Sequence, residues 1–160
     1  MFKKFALSAM VLLGVVAMPN AFAKNASSGV NEVDAVQVTT TYEGTMSVVM
    51  GTSSSSIQHT TEATPRGSNV DLFIENFSVG RMPAYIEVDA KNVIADGIAR
   101  TYSNVVRFTF KGSSTSIYFS AEITVTAYDA NTLVYTINVL EAEYQGAPFI
   151  ATVNFNGTAL

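Results

Sequence analysis

From residue 36 onward, apolar and polar side chains change places at every second position. Val38, Thr40, Tyr42, Gly44, Met46, Val48 and Met50 alternate with Thr39, Thr41, Glu43, Thr45 and Ser47. A period of two marks a strand with one face buried, and β-branched and aromatic side chains suit a pleated surface. The same alternation returns at Val70, Leu72 and Ile74, at Ile86 and Val88, and at Val106, Phe108 and Phe110. It runs longest from Ile117 to Ala127, then reappears at Leu133, Tyr135, Ile137 and Val139, and at Phe149, Ala151, Val153 and Phe155. Pro65-Arg66-Gly67-Ser68-Asn69, Asp129-Ala130-Asn131-Thr132 and Gln145-Gly146-Ala147-Pro148 are turn clusters between these runs. Strands are therefore predicted over residues 37–50, 57–63, 69–77, 83–90, 103–111, 116–128, 132–144 and 148–157. Residues 51–56, rich in Ser, are predicted as a turn, and residues 91–102 as a loop or one short extra strand.

Short connections make sequential strands antiparallel neighbours. The predicted fold is all-β: a single antiparallel up-and-down barrel of about eight strands. A two-sheet β-sandwich fits the same pattern, because both bury one face of every strand.

The first residues follow a different rule. Lys3 and Lys4 precede an apolar run over residues 5–18, and Ala21 and Ala23 flank Phe22 as small residues before a cut. This is the layout of a secretory signal peptide, too short for a spanning helix of ~20 residues. The expected division is a signal peptide at 1–23, a flexible polar lead-in at 24–36 and one domain at 37–160. Cleavage after Ala23 leaves 137 residues, enough for one core, with seven Lys and Arg against thirteen Asp and Glu. That net charge of −6 argues against nucleic acid as a partner and against docking on anionic lipid. The absence of Cys excludes thiol catalysis and Cys-based metal sites. Export without disulfides points to the periplasm or the surface of a Gram-negative bacterium.

Three stretches resemble a known family. They are Tyr42-Glu43-Gly44-Thr45-Met46-Ser47-Val48, then Val70-Asp71-Leu72-Phe73-Ile74-Glu75-Asn76-Phe77-Ser78-Val79-Gly80, and the pair Thr132-Leu133-Val134-Tyr135 with Val153-Asn154-Phe155-Asn156-Gly157. They resemble the opening strand, an apolar-alternating segment and the closing strands of the calycin-like β-barrel domains of exported bacterial proteins. The resemblance covers most of residues 37–157, is weak over 51–65 and 91–115, and rests on strand and turn residues. It implies a small closed barrel and no catalytic residues.

Reactive groups are scarce. His59 is the only His and has no Gly-x-Ser-x-Gly elbow to serve, so a solvent-facing side chain is expected. Asp71, Glu75, Glu87 and Asp89 lie opposite the apolar positions of their strands and are expected to face water, although paired carboxylates can hydrolyse glycosides across a cleft. Glu141 shares the parity of Leu133 and Tyr135, and is expected where the strand reaches solvent. Asp129-Ala130-Asn131 lacks the later acidic ligands of a calcium loop. No enzyme activity, metal or cofactor is expected.

The inward aromatics remain. Met46, Phe108, Phe110, Phe119 and Tyr135 are the candidate ligand-binding residues, since rings and a flexible thioether suit an apolar ligand. A filled barrel would use the same residues as plain core. The expected function is an exported, non-enzymatic interaction module for a protein, a glycan or a small apolar ligand. The alternatives are a carrier with the ligand inside the barrel and, further off, an eight-stranded outer-membrane barrel. The last would need the faces inverted, with rings on lipid and charges inside.

Overall fold

The alternating runs become ten strands in a computed structural model that describes residues 37–160 except Gln145 and Phe149, with only the backbone of Tyr144 and Ala147. The expected signal peptide, the lead-in and Phe149 lie outside the described residues. The strands are β1 (Thr40–Met50), β2 (Ser53–Arg66), β3 (Asn69–Phe77), β4 (Ala84–Ile94), β5 (Arg100–Phe110), β6 (Ser116–Tyr128), β7 (Thr132–Val139), β8 (Glu143–Tyr144), β9 (Ala147–Pro148) and β10 (Ala151–Ala159). Eight of them close an antiparallel barrel in the order β1-β10-β7-β6-β5-β4-β3-β2, while β8 and β9 form a small separate hairpin. The up-and-down barrel is thus the architecture, and the two-sheet sandwich is not.

The apolar set of each strand points inward. Tyr42, Met46, Val48, Leu72, Ile74, Ile86, Phe108, Ile123, Leu133, Tyr135, Ile137 and Phe155 are all buried. Glu43, Glu62, Glu75 and Asp89 are exposed on the outer surface. The inverted arrangement that lipid would require is not the one adopted.

Register makes the interior a stack of rows. Ile57 pairs with Met46, Met46 with Phe155, Phe155 with Tyr135 and Tyr135 with Val125, across β2, β1, β10, β7 and β6. The Tyr135 and Phe155 rings stack 5.1 Å apart at 17°. Room for them comes from Gly157, where a Cβ would sit 2.5 Å from Phe155 Cζ. Its register partner Gly44 is equally constrained, since a Cβ there would meet Asn156 O at 2.1 Å.

Four boundaries differ from expectation. The turn after β1 is only Gly51 and Thr52, and the serines from Ser53 onward are strand, because β1 pairs with β2 as far as Met50 and Ser53. A full-length ladder overrides the weak β-propensity of Ser. The irregular 91–102 segment is mostly strand, with β4 running to Ile94 and β5 starting at Arg100. Bulges break its period of two: the β3–β4 register shifts between Val70 and Leu72, the β5–β6 register between Tyr102 and Val106, and Asn92 and Asn104 have φ of 58° and 57°. β7 stops at Val139, and Glu141 then turns the chain with φ 56°. The last strand starts at Ala151 rather than 148.

Candidate functional site

The barrel wall is unequal around its circumference. β1 pairs with β2 along its whole length, yet β3 pairs with β2 only from Glu62 to Arg66 on the β2 side. Beyond Phe73, the ladder of β3 is with β4 alone, through Ile74 to Val88 and Phe77 to Ile86. Among the described residues, 53–61 therefore form an edge with no ladder partner on the β3 side. In an antiparallel strand, alternate residues turn their N–H and C=O to opposite neighbours. Half of the backbone groups over 53–61 thus face an open seam.

Side chains and one loop flank this seam. The ring of His59 meets the edge of Phe77 at 5.5 Å, and its Nδ1 lies 2.7 Å from Thr60 O. His59 is half-buried, which corrects the expectation of a solvent-facing side chain. The β3–β4 loop follows. Val79 and Met82 are buried, and the loop is tied by Met82 N–H to Val79 O at 3.1 Å and by Val79 N–H to Met82 Sδ at 3.4 Å. Lys111 N–H donates to Pro83 O at 2.9 Å and fixes the far side. Gly80 has φ +54°, and a Cβ there would come 2.8 Å from Ser55 Oγ, so the loop rides directly on β2. The hydroxyl of Ser78, where the loop begins, is buried without a hydrogen-bond partner.

Between β2 and this loop lies a cleft of about 670 Å³, lined by Met50, Ser53, Ser54, Ser55, Gly80, Arg81 and Pro83. None of its described lining residues is a carboxylate. Among the described residues, Arg66, Lys91, Arg100 and Arg107 pair with Asp71, Asp89, Asp96 and Glu87, and Lys111 lies over the Tyr85 ring. Arg81 alone of the described Lys and Arg has neither a carboxylate nor a ring partner, and it is exposed at this cleft.

The five candidate ligand-binding residues fall into two groups. Met46 and Tyr135 meet through Phe155, and Tyr135 is only 1% exposed. The Tyr135 hydroxyl shares a hydrogen bond of 2.8 Å with Thr61, itself fully buried. Burial pushes the Tyr135 phenol well above its ordinary range, and the Thr61 contact opposes this only in part. Phe108 of β5 and Phe119 of β6 meet edge to face at 4.9 Å, and Phe110, on the strand of Phe108, packs against the core. Phe110 and Phe119 are partly exposed, and Ile117, expected inward, is 43% exposed. None of the five lines the 670 Å³ cleft. Tyr135 does border a shallower groove of about 280 Å³ on the outer face of β1, β10 and β7, with Thr45, Ser47, Val134, Thr136, Asn154 and Asn156. Polar side chains there already satisfy one another, as in Thr136 Oγ1 to Asn154 Oδ1 at 2.9 Å.

The carboxylates divide likewise. Glu75 and Asp89 are exposed as expected. Asp71 is not: it is 7% exposed, accepting from Arg66 Nε at 2.9 Å and from the bulge N–H of Asn92 at 2.8 Å. Burial raises its pKa, but the Asn92 N–H and the Arg66 guanidinium together hold it below the usual carboxylate value. Glu87 is half-buried against Arg107. Asp96, at the tip of the β4–β5 loop, is held at about 2, chiefly by its two bonds from Arg100. Tyr42 donates to Asp129 O at 2.6 Å. Burial first, and the Asp129 charge second, raise the Tyr42 pKa. Among the described residues, no three His, Asp or Glu side chains gather as a metal site would need. The acidic groups serve bulges, turns and strand pairs.

The seam and Arg81 were not among the sequence candidates. Their one signal is compositional: residues 53–61 hold no Lys, Arg, Asp, Glu or Pro. Comparisons with protein-family models, with curated proteins and with solved structures each find no match to this chain.

Proposed function

We propose that this chain is an exported, non-enzymatic interaction module of the calycin-like kind. It works through its outer surface and loops in the periplasm or at the cell surface of a Gram-negative bacterium. The observation that carries this reading is the packing of the lumen. Tyr42, Met46, Phe108, Tyr135 and Phe155 are each at most 2% exposed, and the Tyr135 and Phe155 rings stack across strands where a carrier would keep a cavity. Two further facts support it. Four of the six described Lys and Arg are paired with carboxylates, and the wall departs from regularity at an accessible seam. The acidic balance of the chain disfavours nucleic acid and anionic lipid as partners.

An apolar probe dye and native mass spectrometry test the reading. The purified domain should neither take up the dye in stoichiometric amount nor carry a lipid. A one-to-one dye complex quenched by Met46 or Tyr135 substitution, or a copurified lipid, would replace this reading with that of a carrier.

A further inference from the structure

We propose that the open β2–β3 seam is a strand-addition site for an extended, acidic segment of a partner protein. The segment lies along residues 53–61 and sets a carboxylate against Arg81. This rests on the interaction-module reading above and names its partner class.

Three independent features converge on one stretch of chain. The first is the edge. Nine residues of β2 have their β1 side fully paired and their β3 side without a ladder. At a strand rise of about 3.4 Å per residue, the edge is roughly 30 Å long. Its free N–H and C=O groups repeat at every second residue, a spacing that another polypeptide backbone matches and a sugar chain does not.

The second is the lack of protection. Unused edges are guarded by Lys, by Pro, by inward charges or by a covering element, because a bare edge recruits other chains. Residues 53–61 are Ser-Ser-Ser-Ser-Ile-Gln-His-Thr-Thr, with none of these side-chain guards. The neighbouring loop touches the edge at Ser55 through Gly80 and adds no ladder to it.

The third is charge. The edge begins at Ser53, Ser54 and Ser55, which also line the cleft that holds Arg81. The remaining described Lys and Arg already have an acid or a ring. An always-protonated guanidinium beside three hydroxyls, with no acid in the cleft, is complementary to a carboxylate. Met50 and Pro83 give the same cleft an apolar floor for the rest of the residue. The charge also selects against self-pairing. The same edge on a second copy carries no Asp or Glu, so pairing two β2 edges would leave both Arg81 side chains unmatched.

The test uses the full chain and a pool of capped nonapeptides that alternate Thr and Val. One Glu is walked through all positions, with a matched pool carrying Gln, both read by fluorescence anisotropy. The Glu pool should bind saturably and the Gln pool on the order of 10–100-fold more weakly, the scale of one charge-assisted contact. Arg81→Gln, at an exposed position, should melt like the parent and bind both pools equally. The best peptide is then remade with N-methyl groups on alternate residues in two complementary sets. One set should abolish binding and the other spare it, because only alternate N–H groups face β2.

Several results would overturn the proposal. They are no binding by the Glu pool, equal binding of Glu and Gln pools to the parent, or indifference to both N-methyl sets. Binding of a neutral oligosaccharide in competition with the peptide, or dimerisation that Arg81→Gln leaves unchanged, would count against it equally. Peptide failure with a dry, dye-free lumen removes only the strand-addition site, whereas a ligand-filled lumen removes the interaction-module reading itself.

Discussion

The wall formed by β1, β10 and β7 and the wall formed by β2 and β3 solve the same problem differently. In the first, ladders run the length of the strands, and Met46, Phe155 and Tyr135 pack in register over two glycines. In the second, pairing on β2 stops at Glu62, and His59, Ser55 and a six-residue loop take over where a ladder would continue. The strand that borders the seam is also the poorest in apolar residues, with only Ile57 between Ser53 and Thr61. The large buried rings that fill the lumen come from β1, β3, β5, β7 and β10, as Tyr42, Phe77, Phe108, Tyr135 and Phe155. β2 can then be built largely from hydroxyl-bearing residues without emptying the core. Core filling and the bare edge thus fall on neighbouring arcs of one sheet.

The largest effect should come from the closed arc. Phe155→Ala removes a stacked ring from a site ringed by backbone and should cost about 3–5 kcal/mol. Phe119→Ala, at a partly exposed position near the rim, should cost under about 2 kcal/mol, because less packed area is lost. Urea unfolding of both variants checks this. Equal losses would mean that the two sides are packed alike.

Asp71 comes next, since it links β2 to the β4 bulge at the closed end of the seam. Asp71→Asn should cost about 1.5–3 kcal/mol at neutral pH, the range for hydrogen bonds to a charged group. The folded carboxylate has a lowered pKa, so its contribution is complete above the unfolded value, about 3.9, and is lost as pH falls through the folded value. Parent stability should therefore drop in this acid window, and the Asn variant should drop less. An unchanged acid profile in Asp71→Asn would show that the bridge contributes nothing.

Tyr135→Phe keeps the stacked ring and deletes only the bond to Thr61. Leaving the buried Thr61 hydroxyl without a partner should cost about 1–3 kcal/mol, near the lower end if the threonine finds a backbone acceptor. Thermal melting reads the change, and a rise in melting temperature would contradict it. Ser78→Ala should do least. Its hydroxyl is buried and unpaired, so removal should be neutral or stabilising by up to about 1 kcal/mol. A loss above that would mean that the hydroxyl has a partner in solution.

The closed arc was far more legible in the sequence than the seam. β1, β6, β7 and β10 announce themselves by alternation, because each has one buried face over many residues. Met46 and Tyr135 were correctly placed inward for the same reason, but register, which alternation does not encode, puts Phe155 between them. The 91–102 stretch was opaque because bulges near Asn92 and Asn104 shift parity midway, so that neither half looks periodic. Ser53 to Ser56 looked like a turn because serine has little strand preference of its own, and only the β1 ladder makes it strand. The seam is harder still. A period of two says which face is inside, but nothing about which neighbour completes a strand's hydrogen bonds. Arg81 stands out only once every other described cation has been given its partner.

Residue-resolved amide exchange tests most directly whether one arc is closed and the other open. Over residues 53–61, every second amide should exchange at least ~100-fold faster than the amides of Val153, Asn154 and Phe155, because an unladdered N–H opens without unfolding the barrel. The alternate amides that face β1 should be protected. Uniform slow exchange along β2, matching β10, would mean that a ladder closes the seam, and would contradict the account.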